Sequence, residues 1–475
     1  MLKLSQRSTA SPNVVLVIVC AGVAMASLDL FIVNVALPSM ARSFGATGLG
    51  DLSWVLNAYA IVYASLLVLF GRLADRYRRD RGFLVGVAVF VAASAACAAA
   101  TSLPMLVAFR VLQAAGAALL TPTSLGLILA TSPPERRHSA VRTWTAVGGL
   151  AAALGPAVGG VLVAASWRWV FLVNVPIGLA ALLAGWRLLP AVAGHRVPRP
   201  DALSALLITG GVGLLTLGLV EGGTWGWGSD RTTGVLGLAA VALALFAIRT
   251  ARHSNPLIDR ALFRVRPFTG ASAVALVFSM AFGAMLLSRV LWAQDVWHWS
   301  ALTTGLSIVP GPIMVPLFSF LLAGRLIGRF GSGVVIAAGS TLFAAGMAWM
   351  ALAVTIAPDY VGEVLGGLLL TGAGVGLTLP TLMATAASSL PPSAFSTGSA
   401  VVNMLRQVGL AIGVAVLIAV LGSPRTPAAT LAAYQRGWTV TAAIALAGGI
   451  VGLLLLVSRP RTVAAEATAI AAGNG

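Results

Sequence analysis

Apolar runs of about twenty residues recur from one end of this chain to the other, each long enough to cross about 30 Å of hydrocarbon as a helix. No soluble fold buries so many uninterrupted apolar segments. Only 9% of the 475 residues are charged, against about a quarter in an average soluble protein. A membrane β-barrel is disfavoured too, since its strands would alternate in polarity over about ten positions. The expected fold class is all-α integral membrane.

Hydropathy and length divide the chain into about fourteen spans. The first runs from Val14 to Leu37 and the fifth from Ser139 to Val163. The pair Ala202–Val220 and Thr233–Ile248 is the least regular, because its second member is short. Arginines crowd into alternate connections, for example Arg76, Arg78, Arg79 and Arg81, then Arg136 and Arg137, then Arg260, Arg264 and Arg266. That bias sets orientation and places both termini in the cytoplasm, and the many alanines and arginines beside the single lysine Lys3 suggest a GC-rich bacterial genome, hence a bacterial inner membrane. It also accounts for the net charge of +17, which in a soluble domain would suggest nucleic acid; no nucleic-acid partner is expected. Tryptophans such as Trp54, Trp167, Trp169, Trp292, Trp297 and Trp438 fall at the opposite ends, as an interfacial belt would. Ala24-Met25-Ala26 resembles a signal-cleavage site, but the apolar run continues past it, so an uncleaved first span is expected.

The two ends of the chain echo one another. Leu120-Thr121-Pro122-Thr123 returns as Leu379-Pro380-Thr381, and Pro133-Pro134 as Pro391-Pro392. Gly71-Arg72-Leu73-Ala74-Asp75-Arg76 returns as Gly324-Arg325-Leu326-Ile327-Gly328-Arg329. The offsets are all about 250–260 residues, the mark of a duplicated unit whose halves rock about a site between them. The expected organisation is a cytoplasmic segment 1–13, an N-terminal bundle 14–189, a linker 190–267 with two extra spans, a C-terminal bundle 268–457 and a cytoplasmic tail 458–475.

Within this scaffold a few residues carry the chemistry. Asp29 lies inside the first apolar run, where a charge costs about 2.5–3.5 kcal/mol on insertion scales and faces a bundle interior or water path. Arg110, inside the fourth span, is its natural partner, with a purely structural ion pair as the plainer alternative. Gly71, Arg72, Asp75 and Arg76, echoed by Arg325 and Arg329, form a charge cluster that can latch one conformational state, or else only enforces topology. Gly155, Pro156, Gly159 and Gly160 lie on a helix that is either a hinge or a close-packed seam. Phe31, Asn34, Gln113, Asn403 and Arg406 are expected to line a substrate cavity. The deep charges beside Asp29 are Arg110, Arg406 and Arg289, which argues against a polycation and leaves neutral, zwitterionic or monocationic amphiphiles. Cys20 and Cys97 read as small buried hydrophobes. The four histidines are scattered, no loop exceeds about twenty residues, and neither a metal site nor an enzyme is expected.

Taken together, these motifs resemble the major facilitator superfamily, specifically its fourteen-span drug–proton antiporter branch, over nearly the whole chain. The carriers are Leu28-Asp29 with Ile32–Pro38, the Gly71 loop, Arg110 with Gln113 and Gly116, Gly155-Pro156 with Gly159-Gly160, and Trp167-Arg168-Trp169 through Gly178. Asp80 departs from the family's basic loop. The resemblance implies two pseudo-symmetric six-helix bundles plus two additional helices. It further implies export of a small drug-like molecule driven by proton entry through Asp29 and Arg110, with no cofactor beyond the proton gradient. A monomer is expected. A uniporter or symporter of the same fold for a physiological solute is the alternative.

Overall fold

The computed structural model describes residues 11–45, 48–193, 201–253, 256–390 and 395–456, and its regular structure there is helical. The terminal segments 1–10 and 457–475, Pro391-Pro392 and the side chain of Asp75 lie outside the described residues. The N-terminal half comprises α1 (Pro12–Phe44), α2 (Leu49–Arg76), α3 (Arg79–Ala99), α4 (Leu103–Thr131), α5 (Pro134–Ala165) and α6 (Trp169–Leu188). A hairpin of α7 (Ala202–Trp225) and α8 (Asp230–Arg252) follows. The C-terminal half comprises α9 (Arg266–Val296), α10 (Ala301–Phe330), α11 (Ser332–Ala353), α12 (Tyr360–Ala386), α13 (Phe395–Leu421) and α14 (Pro427–Leu456).

Among the described residues, 13 helices are long and apolar enough to cross a membrane, and α5 makes 14 when its two arms count as one span. Those arms meet at 43° between Ala152 and Leu154. The cause is local: Pro156 has no N–H for the Ala152 carbonyl and its ring crowds that oxygen, so the helix bends there.

The duplication read from the sequence is visible in the packing. In the first half α1 packs on α4, α5 and α6, α2 on α4, and α3 on α4 and α6. In the second half α9 packs on α12, α13 and α14, α10 on α12, and α11 on α12 and α14. Every pairing recurs eight helices later. The halves meet along two equivalent seams, α2 against α13 and α5 against α10. One apolar cluster runs through both halves, and a second fills the N-terminal bundle around Phe83, Phe90 and Tyr59.

Two expectations are corrected. Helix α8 is longer than its hydropathy suggested, because the Ser229 hydroxyl accepts a hydrogen bond from the Thr232 amide and starts the helix early. Its apolar face (Leu238, Val241, Leu245, Ile248) is exposed, as a lipid-facing helix requires. The tryptophans are also not all an interfacial belt. Trp169, Trp227 and Trp349 are exposed, but Trp167, Trp292 and Trp438 are buried. Trp292 stacks edge-on against Trp438 and Tyr434, and the Trp438 indole donates to Ser288 Oγ at 3.1 Å. Trp438 satisfies its buried N–H this way while Trp292 Nε1 has no partner, and the two stacked rings brace the C-terminal half instead of anchoring it.

The α7–α8 hairpin packs against both α2 and α13, covering the seam between the halves. Its open end is closed by Asp201, which accepts from Arg249 Nε at 2.7 Å and Nη2 at 3.0 Å and from Ser204 Oγ at 2.6 Å. Burial pushes the Asp201 carboxyl up, but the bonds from Arg249 and Ser204 outweigh it and hold the group at about 2. A depressed carboxylate stabilises the fold above its unfolded value and loses that contribution as pH falls through the folded one. Amide exchange in α7 and α8, corrected for intrinsic rates, is therefore expected to hold steady from neutral pH to about 4 and rise as pH approaches 2. Asp201→Asn should show the faster exchange already at neutral pH.

Candidate functional site

Asp29, at the middle of α1, is fully buried, and both of its oxygens are engaged. Oδ2 accepts from Arg110 Nη1 at 2.5 Å, and Oδ1 accepts from Gln113 Nε2 at 2.8 Å and Asn174 Nδ2 at 2.9 Å. Arg110 and Gln113 are three apart on α4 and so share a face; Arg110 Nη1 also donates to Gln113 Oε1 at 2.7 Å. Ser94 Oγ on α3 accepts from both amides, at 2.6 Å from Gln113 and 3.2 Å from Asn174. Arg110 Nε reaches the Val55 carbonyl on α2 at 3.1 Å, and its guanidinium lies 4.1 Å from the Tyr59 ring centroid. The α1 carboxylate is thus held by side chains from α4 and α6, which groups on α2 and α3 hold in turn.

The energetics follow from the lack of water. An isolated charge at this depth would be costly, and a pair is tolerated when further hydrogen bonds satisfy the remaining lone pairs and protons. Here one donor is left over. Arg110 Nη2 is buried without a hydrogen-bond partner. The same residue lines a cavity between the halves, walled by Phe31, Asn34 and Asn57 on one side and by Gly283, Leu286 and Leu410 on the other. Asn57 is fully buried, donates to Ser53 Oγ at 3.3 Å, and keeps its Oδ1 unpartnered. The cavity is small, about 30 Å³, with mostly apolar walls, and two of its polar lining residues, Arg110 and Asn57, each hold a buried atom without a hydrogen-bond partner. Phe31 meets Phe282 edge-on across the halves, centroids 6.1 Å apart.

The structure distributes the expected site residues unevenly. Phe31 and Asn34 line the cavity, whereas Gln113 lies behind it in the Asp29 network. Arg406 and Asn403 lie on α13 about one and two turns before the lining residue Leu410, and bond to each other at 3.2 Å. Asn174, Ser94, Tyr59 and Asn57 were not singled out from the sequence. They are neutral polar or aromatic residues inside apolar spans, and nothing in their spacing sets them apart.

The glycines of α5 do two jobs. A Cβ on Gly155 would meet Phe31 Cβ at 2.9 Å, and one on Gly159 would meet the Ile32 carbonyl at 2.9 Å, so both admit α1 to close contact. Gly160 faces the other half, where its Cβ would meet the Ala301 carbonyl of α10 at 2.7 Å. Gly305 answers from α10, leaving no room for a Cβ against the Pro156 carbonyl. Beyond this seam, Val35, Val290 and Ile308 form a small apolar plug, and Gln294 Nε2 donates to the Val35 carbonyl at 3.0 Å. The halves are closed at this tryptophan-rich end.

The expected latch residues are spread differently. Gly71 lies near Pro122 of α4, and Arg76 lies beside the Tyr77 ring; Arg72 is also engaged. Arg325 Nη1 donates to the Leu321 carbonyl of its own helix at 3.2 Å, and Arg329 lies 5.2 Å from the Phe330 centroid. The loop's firm anchor is Asp80, which accepts from Arg78 Nη2 at 2.6 Å and from the Val192 amide at 3.2 Å. That contact ties α3 to the segment after α6, within one half.

Two helical bundles related by duplication, meeting along two seams and lining one cavity, define a membrane transporter. The chain belongs to the Major Facilitator Superfamily, whose family model matches residues 19–414. It is 34% identical over 413 residues to the tetracenomycin C resistance and export protein of Streptomyces glaucescens, covering 86% of this chain and 76% of that one. It is 33% identical over 419 residues to the methylenomycin A resistance protein of Bacillus subtilis, covering 86% and 88%. It is 35% identical over 427 residues to the cephamycin export protein CmcT of Amycolatopsis lactamdurans, covering 87% and 86%. Among solved structures it matches an auto-inhibited POT family peptide transporter with a TM-score of 0.67 at 16% identity, covering 94% and 98%, a likeness of fold.

Proposed function

We propose that this protein is a drug or antibiotic exporter of the bacterial inner membrane that exchanges a small amphiphilic molecule for protons by alternating access. Export is supported by the relatives named for resistance and export. The observation that carries proton coupling is the double position of Arg110. One guanidinium both pairs with Asp29 and lines the cavity. Protonating Asp29 removes the negative partner of Arg110, so proton occupancy is transmitted directly to the cavity wall. Asn174 and Gln113 can each keep a hydrogen bond to the neutral acid, which limits the disruption to the arginine. One charge moving through 100 mV is worth about 2.3 kcal/mol, enough for a gradient of about fifty-fold before any pH contribution. The arginine-rich helix ends, with both termini, are taken as cytoplasmic, and the working unit as a monomer.

The test is uptake into everted membrane vesicles of a panel of fluorescent lipophilic drugs under an imposed pH gradient. Accumulation that rises with the gradient and collapses with a protonophore is the expected outcome. Uptake indifferent to the gradient across the whole panel would overturn proton exchange and favour the uniporter alternative.

A further inference from the structure

The interior is short of negative charge. Apart from Asp29, the described carboxylates stand at or near helix ends: Asp51, Glu221, Asp230, Asp295, Asp359 and Glu363 towards the tryptophan-rich side, Asp80, Glu135, Asp201 and Asp259 towards the other. Asp29 is already committed to Arg110. Two further guanidiniums lie within the spans with no acidic partner among the described residues. Arg289 on α9 is 2% exposed, its Nε has no hydrogen-bond partner, and the ionisable group acting on it is the neutral phenol of Tyr360. Arg406 on α13 is half-buried, bonds to the amide oxygen of Asn403, and leaves its Nε unpartnered.

Arginine does not shed its proton to escape such a site. A buried guanidinium without a counter-ion is among the costliest arrangements a fold can keep, and such residues mark ligand or ion pathways. Their placement is specific. The cavity's C-half wall is built by α9 through Gly283 and Leu286 and by α13 through Leu410 and Val414. Arg289 follows Leu286 by one turn towards the tryptophan-rich end, and Arg406 precedes Leu410 by one turn towards the arginine-rich end. The unpaired cations therefore flank the cavity, one on each side along the membrane normal. Arg110, whose Nη2 also lacks a hydrogen-bond partner, is among the residues lining the cavity.

We propose that the transported molecule carries a carboxylate or equivalent organic oxyanion, and that Arg406 and Arg289 are its anion contacts on the two sides of the cavity. This rests on the export reading and narrows it, displacing the neutral or cationic amphiphiles favoured by composition. Planar guanidinium forks match an oxyanion in geometry as well as charge, and the apolar cavity walls take the rest of the molecule.

The test uses the full chain, purified into lipid nanodiscs, with three probes of one aromatic body: 1-naphthylacetate, its primary amide and 1-naphthylethylammonium. The acid is expected to bind at least about tenfold more tightly than the amide, and the ammonium more weakly than either. Arg406→Gln and Arg289→Gln should each reduce the acid-to-amide affinity ratio, with Arg→Lys retaining part of it. Because an unpaired charge is removed, Arg289→Gln should also raise the melting temperature of the ligand-free protein in low-chloride buffer. Equal affinity for acid and ammonium, a ratio unchanged in both Gln variants, or a lower melting temperature for Arg289→Gln would each overturn the proposal. So would chloride alone reproducing the acid's stabilisation with the same loss in the variants, since the site would then hold an inorganic anion. Gradient-driven drug uptake without any acid preference would remove this inference and leave export standing. Acid binding without gradient-driven uptake of any probe would remove export instead.

Discussion

Asp29→Asn is expected to abolish gradient-driven accumulation while substrate still binds. The substitution keeps the side chain's shape and its bonds to Asn174 and Gln113, but it removes both the titrating group and the negative partner of Arg110. Breaking a buried ion pair on one side leaves an uncompensated charge and costs about 3–5 kcal/mol. The variant should therefore be less stable as well as inactive, and the two losses must be separated. Asp29→Asn combined with Arg110→Gln replaces the pair by neutral groups of similar size. It should recover most of the melting temperature and none of the coupled transport. A double variant that regained proton-driven uptake would show that the pair is structural and that coupling resides elsewhere.

The second large effect is expected at the α5–α10 seam. Gly305 lies against the Pro156 carbonyl and Gly160 against Ala301, with no space for side chains on either. Backbone does not yield as a flexible side chain does, so Gly305→Leu must push the halves apart at the tryptophan-rich end. Overpacking of this kind costs about 1–3 kcal/mol when a core cannot relax. In a transporter the relaxation available is the rocking motion itself, so the variant should shift population towards the state open at that end. A cysteine introduced at Ala411, in the cavity wall, reports it, because the native Cys20 and Cys97 are both buried. Labelling of Ala411→Cys by a membrane-impermeant maleimide should accelerate by about tenfold or more, which corresponds to about 1.4 kcal/mol in the conformational equilibrium. Unchanged labelling with a folded, monodisperse protein would mean that the seam is not part of the gate.

What could be read from the sequence was whatever violated the membrane's chemistry or repeated itself. Asp29 and Arg110 stand out because charge in an apolar run needs a reason, and Gly155-Pro156 and Gly159-Gly160 because small residues and proline cluster on one helix. The two halves were legible because the duplication left matching loops. Asn174, Ser94, Tyr59 and Asn57 were not, since a neutral polar or aromatic residue in a span carries no anomaly. Only the meeting of α1, α2, α3, α4 and α6 sets Asn174 against the Asp29 carboxylate, Ser94 against the two amides, Tyr59 beside the Arg110 guanidinium and Asn57 in the cavity wall. Gln113 was misplaced for a related reason. Its spacing from Arg110 fixes the face of α4 it occupies, but not which helix that face meets.

Arg289 divides the two sources of knowledge most clearly. Its depth was visible in the run of apolar residues around it. Its lack of a counter-ion was not, because pairing is a relation between helices that lie far apart in the chain and adjacent in space. By itself the sequence determined that this protein is a duplicated helical membrane transporter with an acid in its core, because hydrocarbon solvent penalises every buried charge residue by residue. Tertiary structure alone decided which charges are neutralised and which remain for a ligand, because Coulomb energy depends on distance through the fold and not along the chain.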